Sequence, residues 1–319
     1  MKRRLLIAAV ALVPAKAWAQ APERRRKVGV LIDGSAPHLL PDVLRASLTK
    51  RGWVEGRTVA FDVRYADGQP SRAAEQAADL ARMEVDIIVA HFTPTVRAAM
   101  AATRTIPIIM APAGAPVETG LVASLSRPGG NVTGVTNMAA ELGGRRLQLL
   151  KDMIPSLGRV GVLASSHDAF TRPFLGYLEE GARSGGLHLD PVAVAGPADF
   201  QAAFAKMAEA RAGAVIIQGV FNSHRGAIVE IASRHRLPTM WFDRQAVLAG
   251  GLISLSANTN DVYERAAAVA DKVLKGARPA DLPVEQPAVF ELVINLKTAN
   301  ALGLTLPQSV QVQADELIE

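Results

Sequence analysis

Val28–Ile32 (VGVLI), the polar loop Asp33–Ala36 and the stretch Pro37–Arg51 together decide the fold. Five consecutive apolar or small residues suit a strand buried on both faces, as in a parallel sheet. Behind the loop the pattern changes to Leu39, Leu40, Val43, Leu44 and Leu48 and stops at Gly52, which predicts one helix. Strand, loop, helix is the unit of a parallel α/β sheet, and the chain repeats it.

Downstream, strands are expected at Val59–Tyr65, Asp86–Ala90 and Ile106–Met110. A helix capped by Ser71, carrying Ala74, Ala78, Leu80 and Ala81, lies between the first two, and a helix over Pro94–Thr103 precedes the third. Leu121–Val135 reads as a short strand, the turn Arg127-Pro128-Gly129-Gly130 and a strand Val132–Val135. The rhythm then restarts. Helices are expected at Ala140–Met153, Phe170–Ser184, Asp199–Ala210 (capped by Asp199), Ser223–His235, Arg244–Ala249, Asp261–Lys275 and Lys297–Leu302. Strands fall at Arg159–Ala164, His188–Val194, Ala214–Gln218, Pro238–Phe242, Leu252–Ser256 and Phe290–Leu296, and Ala277–Pro287 is Pro-rich. Two such runs predict two doubly wound parallel-sheet lobes. A length of 319 residues accommodates both.

Composition narrows the chemistry. The absence of cysteine excludes disulfides, thiolate metal sites and thiol nucleophiles, and six scattered histidines offer no metal site. Met1–Ala19 has the form of a secretory leader: Lys2, Arg3 and Arg4, then apolar Leu5–Val13, then Ala17-Trp18-Ala19 before Gln20. Cleavage after Ala19 implies a periplasmic product, and the formal +5 then loses the leader's four cations, including Lys16. Residues 20–27, with Arg24, Arg25, Arg26 and Lys27, read as a solvated tail. The body therefore lacks the charge for a nucleic-acid face.

No catalytic signature is present: no GxSxG elbow, no phosphate-binding GxxxxGK[ST] loop, no strand–GxGxxG–helix fingerprint and no HExxH. No catalytic residue, metal or cofactor is expected. In doubly wound sheets ligands sit beyond the carboxyl ends of the strands. The loops placed there include Ser35 in Asp33–Ala36, Thr93 and Thr95 at a helix start, and Ser165, Ser166, His167 and Asp168. Phe221, Trp241 and Phe242 could form a stacking wall, with core packing the competing reading for Phe242. Asp243 and Arg244 could meet a zwitterion or pair with each other.

Longer segments carry a resemblance. They are Gly52–Gly56 (GWVEG), Thr105–Ile108 (TIPI), Gly120–Gly134 (GLVASLSRPGGNVTG), Arg145–Lys151 (RRLQLLK), Gly250–Leu252 (GGL), Lys275–Gln286 (KGARPADLPVEQ) and Phe290–Thr298 (FELVINLKT). In this order, from about Val28 to the C-terminus, the chain resembles the ABC-transporter substrate-binding protein family that includes the tryptophan/tyrosine-binding TrpX proteins. The resemblance implies a type I periplasmic binding protein, its two lobes joined by a three-strand hinge near Asn137–Ala140, Ala257–Asn260 and Pro283–Ala288. Residues 28–136 and 259–284 would form lobe 1, and 137–258 and 285–319 lobe 2. It also implies ligand-binding positions at His91, Phe92, Thr93 and Thr95, at Gly114 and Ala115, at Asn137, and at Gln218. Ala115 stands where the family shows Asp, which removes a carboxylate able to meet an amine.

The expected function is a periplasmic receptor of an ABC importer, a monomer that captures a small aromatic or carboxylate-bearing ligand by hinge closure and passes it to an inner-membrane permease. One alternative is an extracytoplasmic sensor subunit. The other is a periplasmic enzyme using His167 and Asp168 on the same scaffold.

Overall fold

The computed structural model describes residues 24–319; the leader, its cleavage after Ala19 and the start of the 20–27 tail lie outside the described residues. The first run comprises β1 (Arg26–Ile32), α1 (Leu39–Thr49), β2 (Val59–Tyr65), α2 (Pro70–Arg82), β3 (Ile87–His91), α3 (Phe92–Ala102), β4 (Ile108–Ala113) and β5 (Val132–Thr136). The second comprises α4 (Gly143–Met153), β6 (Arg159–Ser165), α5 (Thr171–Gly185), β7 (His188–Val194), α6 (Phe200–Glu209), β8 (Ala214–Ile217), α7 (Arg225–Arg234), β9 (Thr239–Trp241), α8 (Arg244–Leu248) and β10 (Ile253–Ala257). There follow α9 (Thr259–Leu274), β11 (Phe290–Asn295), α10 (Leu296–Ala301), α11 (Gln308–Gln311) and β12 (Glu316–Ile318).

Two sheets form. One has the order β2-β1-β3-β4-β5, all parallel. The other runs β12-β11-β10-β9-β8-β6-β7, antiparallel only between β10 and β11. Each starts its second strand outward and then reverses direction, so a switch point flanks β1 in one sheet and β6 in the other. Both faces of each sheet are covered, which is why the inner strands are mostly apolar, while the edge strands β2, β7 and β12 are more polar and partly exposed. Val28, Val30 and Ile32 pack with Leu40, Leu44, Leu48 and α9, whereas Leu31 packs with Ala77, Leu80 and Val96 on the opposite face. In the second sheet, α4 and α5 cover one face through Leu147, Leu150, Phe174 and Leu178, and α6 to α8 cover the other through Phe200, Phe204, Ile228 and Ala246.

The chain passes between the sheets three times: after β5, after β10 and before β11. The passages are tied together, Thr136 N–H to Glu285 O at 3.0 Å and Asn258 N–H to Val289 O at 2.9 Å.

Some local expectations need correction. Arg26 and Lys27 are not tail but the start of β1, where Asp86 accepts from Arg26 Nη1 at 2.9 Å and Lys27 N–H at 2.7 Å. No strand forms at Leu121, because the N–H groups of Leu121 and Val122 turn back to Pro116 O. α2 begins at Pro70 without a side-chain cap, and its buried stripe is Ala73, Ala77 and Leu80. Asp199 does not cap α6; its carboxylate accepts from Ala195 N–H at 2.8 Å in the preceding turn.

Candidate functional site

A cavity of about 720 Å³ opens beyond the carboxyl ends of both sheets. The first sheet supplies Asp33, Ser35 and His38 after β1, and His91 and Phe92 where β3 meets α3. The second supplies Asn222 and Arg225 after β8, and Phe242 and Asp243 after β9. Arg146 of α4, and Asn258 and Tyr263 at the start of α9, complete the wall. A smaller hollow of about 40 Å³ adjoins it, lined by Phe92, Thr93, Gly114, Asn137, Phe170 and Phe242 among others.

Arg146 is a buried charge in this wall. It is 1% exposed, and its guanidinium carbon lies 3.6 Å from the centroid of the Phe242 ring. Nε and Nη2 donate to Leu255 O at 3.0 and 2.8 Å, and Nη1 donates to Ala139 O at 2.5 Å. Burial pulls its pKa down to about 9, so it is still a cation at neutral pH.

On the opposite wall, burial holds His91 far below the ordinary imidazole range. Its Nε2 pairs with the Tyr263 hydroxyl at 3.3 Å, and its buried Nδ1 has no partner. His38 meets it edge-on at 4.5 Å, and His38 Nδ1 accepts from Leu40 N–H at 3.2 Å. Burial, with Arg225 nearby, lowers the His38 pKa to about 4. Both imidazoles are therefore neutral at pH 7. Asp33 is buried, and desolvation together with the Asp168 carboxylate raises its pKa to about 7. Burial likewise raises Asp243, whose Oδ1 caps α8 by accepting from Gln245 N–H at 3.0 Å.

Phe92 has φ of +70°, a left-handed conformation that is strained for a bulky side chain. That backbone lays its ring on His91, with centroids 3.9 Å apart, and brings it near Gly219.

Of the residues expected from sequence, Ser35, His91, Phe92, Asn137 and Asp243 line the large cavity, and Thr93 and Gly114 the small one. The others lie elsewhere, because backbone or core partners claim them. Thr95 turns its hydroxyl to His91 O at 2.6 Å, and Ala115 is 2% exposed with its carbonyl capped by Thr119. Trp241 and Phe221 are not a stacking wall: the Trp241 indole is fully buried with Nε1 donating to Thr239 Oγ1 at 2.8 Å, and Phe221 packs edge-on against Phe200.

Gln218, fully buried, accepts from Ser165 N–H at 2.7 Å and from Thr171 Oγ1 at 3.0 Å while donating to Asp168 Oδ2 at 2.9 Å. Ser166 and His167 are exposed and pair with each other at 3.2 Å. Asp168 is occupied by Gln218 and Phe170 N–H, so it does not orient His167 as a base. Among the described residues no group of three or more His, Cys, Asp or Glu could hold a metal ion.

Arg146, His38 and Tyr263 are among the cavity residues that sequence reading missed; Phe242, for which core packing was the competing reading, also lines the cavity, as does Asp33 of the expected loop. Arg146 did leave a signal, since with Leu150 and Met153 it follows the buried stripe of α4, where a charge needs a reason.

Residues 27–318 match the family described as ABC transporter substrate binding protein. A tyrosine-binding protein of Clostridioides difficile (strain R20291) is 25% identical over 81% of this chain and 74% of its own length. The crystal structure of an ABC domain in complex with L-Trp from Streptococcus pneumonia is 28% identical, with TM-score 0.85 over 92% of this chain and all of that one. A leucine-binding protein of Thermotoga maritima shares the fold, with TM-score 0.61 at 13% identity over 79% of this chain and 83% of that one.

Proposed function

The chain belongs to the ABC transporter substrate-binding protein family and has the two-lobed α/β fold of type I periplasmic binding proteins, and from that premise we propose that it is the extracytoplasmic receptor of an ABC importer. It closes two lobes, 28–136 with 259–284 and 137–258 with 285–319, over a small aromatic ligand and presents the closed form to an inner-membrane permease. The observation that carries this reading is the cavity of about 720 Å³ walled by both sheets, beyond their strand ends.

Contacts across the cleft support closure. A Cβ built on Gly34 would lie 3.4 Å from the Ser223 side chain, and Tyr177 donates to Glu118 at 3.4 Å. Three tied passages make a hinge that bends while keeping the lobes in register. Phe92 and Phe242 enter from opposite sheets, which suits a flat ring, and the relatives named for tyrosine and solved with L-Trp point the same way. Asp33 and Asp243 offer carboxylates to an amine, so an amino acid is compatible with alanine at position 115.

A thermal-shift panel on the chain from Gln20 tests the proposal, using tryptophan, tyrosine, phenylalanine, hydroxybenzoates and sugars. A ligand at about 1,000 times its Kd adds about 4 kcal/mol, a shift of several degrees. No shift with any aromatic compound, and no small molecule co-purifying by native mass spectrometry, would refute it.

A further inference from the structure

We propose that Arg146 is the carboxylate anchor of the cavity, so that the captured ligand is an organic acid or amino acid and not an amine or a neutral ring. The proposal deepens the receptor reading and rests on it.

A guanidinium has five N–H donors. Arg146 spends three on the carbonyls of Leu255 and Ala139, leaving one on each terminal nitrogen at a residue that lines the cavity. Among the described residues no carboxylate pairs with it; Glu141 acts on it only at longer range. Phe242 covers one face of its plane. A desolvated cation without a counter-charge is costly, and the missing partner is an anion with two oxygens for the two remaining donors. The three bonds already made hold the fork in place. They also reach two of the three passages between the sheets, Ala139 just past the first and Leu255 just before the second. A carboxylate seated there contacts the hinge itself.

Calorimetry on the full mature chain tests this with L-tryptophan and L-tyrosine, their amides, tryptamine and tyramine. The amides and amines are expected to bind about 10- to 100-fold more weakly than the acids. Arg146→Gln should flatten that difference. Arg146→Lys, which keeps the charge, should restore part of it, and the comparison on the unaltered chain stands even if Arg146→Gln fails to fold. Amides or amines binding within about threefold of the acids would overturn the anchor and leave the receptor reading intact. If none of these compounds binds, no other aromatic compound of the thermal-shift panel raises the melting temperature and no small molecule co-purifies, both fall.

Discussion

Gly114 and Phe170 touch across the junction of the two sheets so closely that a Cβ on Gly114 would stand 2.5 Å from the Phe170 ring. Gly114 follows β4 and Phe170 precedes α5, so the contact joins the first half of the chain to the second. Both residues line the small hollow. Gly114→Ala should force the ring away and hold the lobes apart. The expected result is ligand affinity lower by about tenfold, with a stability loss of only about 1 kcal/mol. Small-angle scattering should show the liganded variant more extended than the parent; an equal radius of gyration and unchanged affinity would argue against it.

Asp33 gives a pH signature. Its folded pKa, raised to about 7, exceeds the ordinary 3.8, so the folded chain holds a proton that the unfolded chain releases. Stability from this group is therefore lost as pH rises from about 4 to about 7, by an amount on the order of a few kcal/mol. Asp33→Asn should melt at the same temperature as the parent near pH 4, and progressively higher than it up to pH 7. Above pH 7 the gap should stay constant. Buried His38 acts in the opposite sense below its ordinary 6.5, but it is common to both proteins and cancels in the difference. A gap independent of pH would remove Asp33 as its source.

Gln218 bonds three partners at once, and replacing it with leucine orphans the Ser165 N–H and Asp168 Oδ2, while Thr171 Oγ1 keeps Ser165 O at 2.7 Å. Urea unfolding of Gln218→Leu should show a loss of about 2–4 kcal/mol. Gln218→Glu should also destabilise, because a second carboxylate would then face Asp168. Variants within about 0.5 kcal/mol of the parent would mean that the network is open to water.

Tryptophan emission separates core from cavity. Trp241 is fully buried and absent from the cavity wall, while Trp53 donates to Asp271 at 2.8 Å at the far end of α9. In Trp53→Phe, Trp241 should emit at short wavelength and resist acrylamide, with or without ligand. A ligand that quenches it strongly would place the binding site against β9 instead.

Most elements were legible to within a few residues because periodicity is a local property, whereas the short α11 and the edge strand β12 were not expected. A strand buried on both faces must be apolar throughout, as Val28–Ile32 is, and a helix on its surface must repeat every three to four residues, as Leu40, Leu44 and Leu48 do. Irregular stretches carried weaker information. The expected strand at Leu121 failed because its amides found partners at Pro116, a tertiary choice that apolar content alone does not reveal.

The site was half legible. Sequence placed loops beyond the strand ends, and of their residues Ser35, His91, Phe92, Asn137 and Asp243 line the cavity. It could not decide which side chains turn inward. Trp241 and Phe242 are neighbours at the end of β9, yet one lies in the core and the other lines the cavity. His91 meets Tyr263 across 172 residues, and Arg146 reaches Leu255 across 109. Local residue order determined the strands, the helices and the ends of the sheets where a ligand could sit. Only the packed tertiary structure decided which charges are buried there without a partner, because burial and pairing depend on residues that are distant along the chain and adjacent in space.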